Sequence, residues 1–176
     1  MYKRQILHIV DLDATLGTGE NFKTIKQISK NVSIPLQVAG GLRTEEKIPV
    51  LGICLGMEMF FKQSQQGKEK GVDVMNGEVV ILPNDMKIPH MGWNSLEITK
   101  DSKILEGVKN NSWVYFVHSY RAKPDNPDLV VANADYGIKV PAVVEDKLFF
   151  GTQFHPEKSG KVGSLMIQNF LRVCSK

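Results

Sequence analysis

Two short apolar runs separated by an amphipathic stretch open the chain. Residues 6–12 (ILHIVDL) are rich in β-branched side chains and end in acids, the pattern of a buried parallel strand. Gly17-Thr18-Gly19 breaks this run. Phe22, Ile25 and Ile28 then recur at helical spacing, which predicts a helix over residues 20–30. Residues 34–38 read as a second strand, with Ala39-Gly40-Gly41 as the loop that leaves it. A further helix is expected at Thr44, a suitable N-cap, ending before Pro49.

The pattern restarts at Pro49. Residues 50–53 predict a strand, and Met57, Phe60 and Phe61 mark the inner face of a following helix. Residues 63–71 are polar and read as loop. Strands are expected over 77–82, 113–117, 129–132, 142–144 and 148–154, the last two joined as a hairpin at Glu145-Asp146-Lys147. Pro124 and Pro127 place 123–128 in a surface loop. Leu165, Met166, Asn169 and Phe170 share one face of a final helix over 163–173. Strands alternating with helices argue for an α/β sheet protein.

Composition narrows the function classes. The 176 residues are 42% hydrophobic and 23% charged, ordinary for a globular chain. Lys+Arg 22 against Asp+Glu 19 leaves +3, too small an excess for a nucleic-acid footprint. No apolar run approaches the ~20 residues that cross a bilayer. The basic N-terminus is followed by an apolar stretch cut by His8, Asp11 and Asp13, so no signal peptide is expected. Cys54 and Cys174 make no disulfide framework, and a cytoplasmic setting is expected. His8, His90, His118 and His155 show no ligand spacing, so no metal is expected. Asp11 and Asp13 read as solvated loop carboxylates.

Gly52-Ile53-Cys54-Leu55-Gly56 joins a predicted strand to a predicted helix, the cysteine form of a nucleophile elbow. Its glycines are expected to relieve crowding in the turn, and the helix end to favour thiolate. The Leu55 amide would face a developing oxyanion. A strand ending in His155-Pro156-Glu157 supplies the complement. Pro156 biases His155 to extended backbone, which puts His155 and Glu157 on one side. Cys54, His155 and Glu157 thus offer nucleophile, base and orienting acid.

These motifs carry a resemblance. Pro49 through Met57 (PVLGICLGM) resembles the nucleophile motif of class I, triad-type glutamine amidotransferases, and Gly151 through Gly160 (GTQFHPEKSG) the second half of their triad. Residues 88–94 (IPHMGWN) and 114–120 (VYFVHSY) are similar to the glutaminase subunits of imidazole glycerol phosphate synthases. The resemblance implies a flavodoxin-like α/β sheet with helices on both faces. It implies that Cys54 forms a glutamyl thioester with release of ammonia, while His155 shuttles protons and Glu157 orients it. Substrate would meet Gly52, Leu55, Gly56, Glu58, His118, Ser119 and Tyr120. His90, Met91, Gly92, Trp93 and Asn94 would face a (β/α)8-barrel cyclase that receives the ammonia for histidine biosynthesis, in a heterodimer. No cofactor is implied.

Two departures stand out. Glu58 occupies a position where the family usually has glutamine, and the family's Pro-Gly-x-Gly oxyanion loop is missing. Instead, residues 7–13 (LHIVDLD) and 35–43 (PLQVAGGLR) resemble two consecutive strands of a histidine-pathway (β/α)8 ribotide isomerase, with Ala39 where that family has a third glycine. The expected organisation is therefore an isomerase-like βαβ fragment over 1–48 joined to an N-terminally shortened amidotransferase domain over 49–176. The fragment's strands are expected to fill sheet positions of the absent ones, and Gly40-Gly41 to imitate the oxyanion loop. Two other roles remain open: a non-catalytic module that docks a barrel, and a cysteine hydrolase acting on another substrate.

Overall fold

A computed structural model describes residues 7–10, 23–24, 27, 36–39, 49–67 and 70–174. The chain forms two compact units, Met1–Lys47 and Ile48–Lys176. In the first, β1 (Leu7–Val10) runs parallel to β2 (Leu36–Ala39), with Leu7 opposite Leu36 and Val10 opposite Ala39. A parallel pair needs a crossover, and Lys23, Thr24 and Gln27 between the strands are helical and exposed. The expected helix at Thr44 and the loop glycines Gly40 and Gly41 lie outside the described residues.

The second unit is built on a five-stranded mixed sheet. Its strands are β3 (Val50–Ile53), β7 (Glu97–Ile98), β10 (Val130–Asp135), β11 (Lys139–Asp146) and β12 (Phe149–Thr152), in the order β3-β12-β11-β10-β7. Only β3 and β12 are parallel; the other pairs are antiparallel. A second sheet joins β4 (Phe61–Ser64), β5 (Met75–Ile81) and β9 (Tyr120–Pro124), and β6 (His90–Ser95) pairs with β8 (Trp113–His118). The helices are a single turn, α1 (Leu55–Glu58), and α2 (Gly160–Cys174).

Successive strand residues face opposite ways, and here both faces are apolar. Val143 packs with Phe116, Phe150, Phe154 and Met166, whereas its neighbour Val144 packs with Met57, Phe61, Met75 and Val79. Met166 brings α2 to the first face and Met57 brings α1 to the second. The α/β fold with helices on both faces follows from this double burial.

The expected helix through Phe61 is corrected. It ends after Glu58, and Phe61 starts a strand parallel to β5. Met57, Phe60 and Phe61 are buried all the same. The returning chain takes the carbonyls that a longer helix would use: Val72 N–H donates to Met59, those of Val74 and Met75 to Phe60, and Gly71 N–H to Lys62. Gly71 permits this approach, since a Cβ there would lie 1.9 Å from the Phe61 carbonyl oxygen. Three further strands, β6, β7 and β9, arise outside the expected ones, and β9 takes in Lys123 and Pro124, where the sequence predicts a loop.

The glycines flanking Cys54 differ. A Cβ on Gly52 would meet the Gly56 carbonyl carbon and oxygen at 2.6 Å and the Met57 nitrogen at 2.7 Å, all rigid backbone. A Cβ on Gly56 would meet nothing within 4 Å. The expectation that both relieve crowding holds for Gly52 alone. In chemical denaturation, Gly52→Ala should cost about 1–3 kcal/mol through overpacking, and Gly56→Ala less than about 1 kcal/mol.

Candidate active site

The sheet's parallel edge brings the chemistry together. β3 and β12 pair from Val50 opposite Phe149 to Ile53 opposite Thr152, so both chains leave the sheet at the same end. Cys54 comes directly after β3, and its N–H still donates to the Thr152 carbonyl, at 2.7 Å. Its backbone then turns sharply, with φ 52° and ψ −108°, a strained conformation for a residue with a Cβ. The Cys54 carbonyl accepts from Met57 N–H at 3.0 Å and Glu58 N–H at 3.1 Å, closing the turn of α1. The thiol lies 3.8 Å from the Val117 carbonyl oxygen, to which it donates.

Beyond β12 the chain is tied to β8. His155 N–H donates to the Tyr115 carbonyl at 2.9 Å. The Ser159 hydroxyl donates to the His155 carbonyl at 2.7 Å and accepts from Tyr115 N–H at 3.0 Å. His155 Nδ1 lies 2.7 Å from Glu157 Oε1, with the imidazole 19% exposed and the carboxylate 47%. Nδ1–H therefore donates to Glu157, leaving Nε2 as the proton-accepting nitrogen.

A cavity of about 310 Å³ opens beside the sulfur. Cys54, Leu55, Glu58, Gln66, Pro89, Val117, His118, Ser119 and Tyr120 line it; these include six of the expected site residues. Gly52 lies buried within β3, and neither it nor Gly56 reaches the cavity. His155 and Glu157 do not line it either, but Glu157 acts electrostatically on Cys54 and His155 on His118. A larger cavity, about 640 Å³, lies among Lys100, Ser102, Leu105 and Glu145, away from these groups.

The expectation that a helix end draws Cys54 toward thiolate is corrected. Burial pushes the thiol up, and the Glu58 carboxylate pushes it further; the Leu55 amide and the Gln153 side chain pull it back. One turn of helix is too short to build a strong dipole. Glu58 is buried, and its Oε1 accepts from Gln153 Nε2 at 3.0 Å. Burial also raises the Glu58 carboxyl above the usual range. Gln153 is the contributor that residue-level reasoning passed over. Its signal was a polar side chain inside the apolar run FFGTQF, where it is fully buried.

His118 and His90 form a relay. His118 Nδ1–H donates to the Tyr120 carbonyl at 2.7 Å, which leaves Nε2 to accept from His90 Nδ1–H at 2.9 Å. His90 stacks between Phe116 and Tyr136. Of the five residues expected at a partner surface, His90 is thus buried, whereas Met91 is 62% and Trp93 53% exposed. The register explains the difference. Met91, Trp93 and Ser95 stand opposite Val117, Tyr115 and Trp113 on the outer face, while His90 and Asn94 turn inward.

Comparison with known proteins places the chain in a family. The chain matches the model for glutamine amidotransferase class-I over residues 29–174, and it belongs to that family. Among its relatives is the imidazole glycerol phosphate synthase subunit HisH of Methanocaldococcus jannaschii, 46% identical over 73% of this chain and 66% of that protein. The same-named subunit of Caldanaerobacter subterraneus is 46% identical over 78% of this chain and 71% of the relative. For the M. jannaschii and Archaeoglobus fulgidus relatives, the chain spans just under two thirds of their length, 66% in both cases. A crystal structure of a glutamine amidotransferase from Thermotoga maritima shares the fold, with TM-score 0.53 and 13% identity over 99% of this chain and 85% of that one. Residues 2–55 also match the model for "Histidine biosynthesis protein", in line with the isomerase-like strands.

Burial of the relay sets a pH dependence. Desolvation lowers both His90 and His118 to about 4, against 6.5 unperturbed; His118 also opposes charging of His90, and His155 opposes charging of His118. The unfolded chain therefore binds more protons than the folded chain between these values. The stability is fully present above pH 6.5 and is lost as pH falls toward 4, by up to about 3 kcal/mol per ring. Urea midpoints should drop across this window, and His90→Phe should flatten the drop.

Proposed function

We propose that the chain hydrolyses glutamine through Cys54, His155 and Glu157 and supplies the ammonia to a (β/α)8-barrel cyclase of histidine biosynthesis. The observation that carries this reading is the 2.7 Å His155–Glu157 bond at the end of β12, the strand paired with the one that presents Cys54. In this reading Nε2 of His155 takes the thiol proton. The sulfur attacks the glutamine side-chain carbonyl, and the Leu55 N–H donates to the developing oxyanion. The imidazolium then protonates the departing amine, giving ammonia and a glutamyl thioester. Water, deprotonated by the same nitrogen, hydrolyses the thioester to glutamate. Glu157 keeps the imidazole in one tautomer throughout.

The partner would dock on the outer face of the β6–β8 ladder, where Met91, Trp93 and Trp113 are exposed together. Such a complex would be a heterodimer and, with its cyclase, would act as a lyase. Both cysteines are free, which suits a reducing cytoplasmic setting. No helix among the described residues is long and apolar enough to cross a membrane. One observation favours the weaker alternative of a docking module: burial and Glu58 hold the Cys54 thiol above its ordinary range.

Cys54→Ser tests the choice. Ammonia release from glutamine, measured with a cyclase subunit present, should fall by about 10³-fold or more while far-UV circular dichroism is unchanged. Equal rates for the two proteins would reject the glutaminase reading. Trp93→Ala should weaken cyclase binding by about tenfold or more without altering the fold, as measured by titration calorimetry.

A further inference from the structure

Gln153 stands between the end of β12 and His155, and its side chain is fully buried. Three bonds hold its backbone in place. Its N–H donates to the Ala142 carbonyl at 2.9 Å, the Thr152 carbonyl before it accepts from Cys54 N–H at 2.7 Å, and the Thr152 hydroxyl donates past it to the Phe154 carbonyl at 3.2 Å. The amide it carries has two N–H groups on one nitrogen. One is held by Glu58 Oε1, 3.0 Å from Nε2. The side chain also hydrogen-bonds Cys54 in the sense that favours the thiolate, so the amide is the donor there too. Both neighbours accept, and that fixes which way the amide faces: turned over, it would set its oxygen against the thiolate. The other partners of the sulfur differ in kind. The Val117 carbonyl accepts, and so can serve only the thiol, whereas Leu55 N–H donates. In the glutaminase reading Leu55 N–H turns to the developing oxyanion, which leaves Gln153 as the donor on the sulfur.

We propose that Gln153 is a positioning residue for the nucleophile: one N–H of its amide is anchored on the side chain at position 58, and the other is delivered to the Cys54 sulfur. Residue 58 therefore acts on the sulfur through Gln153 as well as through its own charge. An amide suits this place because it is a double donor without charge, and a buried cation would cost far more to desolvate. Hydrogen bonds in a site shielded from water are strong, so one N–H of fixed direction changes how readily the thiol ionises. The role of Gln153 in turnover rests on the glutaminase reading; its role toward the sulfur does not.

The test reads the rate of Cys54 alkylation by iodoacetamide against pH, on the full chain with Cys174, the other free cysteine, replaced by serine. The titratable groups that face Cys54 are Glu58 on α1, Glu157 after β12, and His118 and Tyr120 at the cavity wall, with His155 coupled through His118. Gln153 also favours the ionised form of Glu58, so its loss alone would shift Glu58 toward neutral and mask the effect. The comparison is therefore made with Glu58→Gln, which has no charge and keeps an oxygen for the anchor. Adding Gln153→Met there should raise the alkylation midpoint by about half a pH unit or more. Gln153→Leu repeats the measurement with a different shape, should the first variant not fold. A merely structural loss would change the urea midpoint and leave the alkylation midpoint in place. With Glu58→Met, which offers no anchor, the same Gln153→Met step should move the midpoint by about half as much or less. An unmoved midpoint, or an equal shift in both backgrounds, overturns the proposal. If both outcomes hold while the parent chain releases no ammonia from glutamine, the glutaminase reading fails and the role of Gln153 stands.

Discussion

The site depends on the parallel pairing of β3 with β12. Four residue pairs in strict register deliver both chain ends to one edge of the sheet. One further backbone bond, from Cys54 to Thr152, carries the ladder past the last strand residue. The bend at Cys54 costs on the order of 1–3 kcal/mol as a non-glycine residue at positive φ. That cost is offset by the bonds on either side of it and by Met57, which seats α1 in the apolar cluster beneath. Gly151 is part of the same fit, because a Cβ there would lie 2.4 Å from Met57 Cγ. Close backbone approach, rather than side-chain contact, therefore aims the sulfur.

The elements most legible in the chain were those whose burial is simple. β11 and β12 are buried on both faces and read as continuous apolar runs; α2 is amphipathic and reads by its stripe. The stretch after Cys54 misled because Met57, Phe60 and Phe61 satisfy a helical period and a strand start equally well. What decided between them was long-range: backbone partners from residues 71–75, which no local pattern announces. β6 was hidden for another reason. Its inward positions are His90, Gly92 and Asn94, so its buried face is polar and shows no apolar alternation. Cys54, His155 and Glu157 could be found because each stands on a turn with its own punctuation, Gly-x-Cys-x-Gly and His-Pro-Glu. Gln153 could not, since its role depends on a partner 95 positions away.

The β6–β8 ladder separates two kinds of chemistry by the alternation of its strands. Inside, a chain of hydrogen bonds runs from His90 through His118 to the Tyr120 carbonyl and fixes both tautomers. Outside, aromatic side chains lie open, with Trp93 edge-on to Tyr115. One residue of slip in β6 would exchange its faces, turning His90 to solvent and Trp93 inward, and would break the His90–His118 bond. The inner relay therefore protects the register that presents the outer surface. His118 also lines the Cys54 cavity, so the inner relay forms part of the wall of the candidate active site.

That arrangement bears on why a carboxylate is tolerated at Glu58. The neighbouring imidazole of His118 is held neutral and cannot act as counter-ion without losing the bond that its Nε2 accepts from His90. Gln153 contributes one donor and is left with its own buried Oε1 unpartnered. An amide at position 58 could exchange a pair of bonds with Gln153 and satisfy that oxygen; a carboxylate cannot, because it has no N–H to offer when ionised. Packing alone thus argues against Glu58, twice over: for its own charge and for the oxygen it strands. Protonation answers both counts: burial raises the Glu58 carboxyl above the usual range, and in its neutral form it carries an O–H, the kind of donor that Gln153 Oε1 lacks.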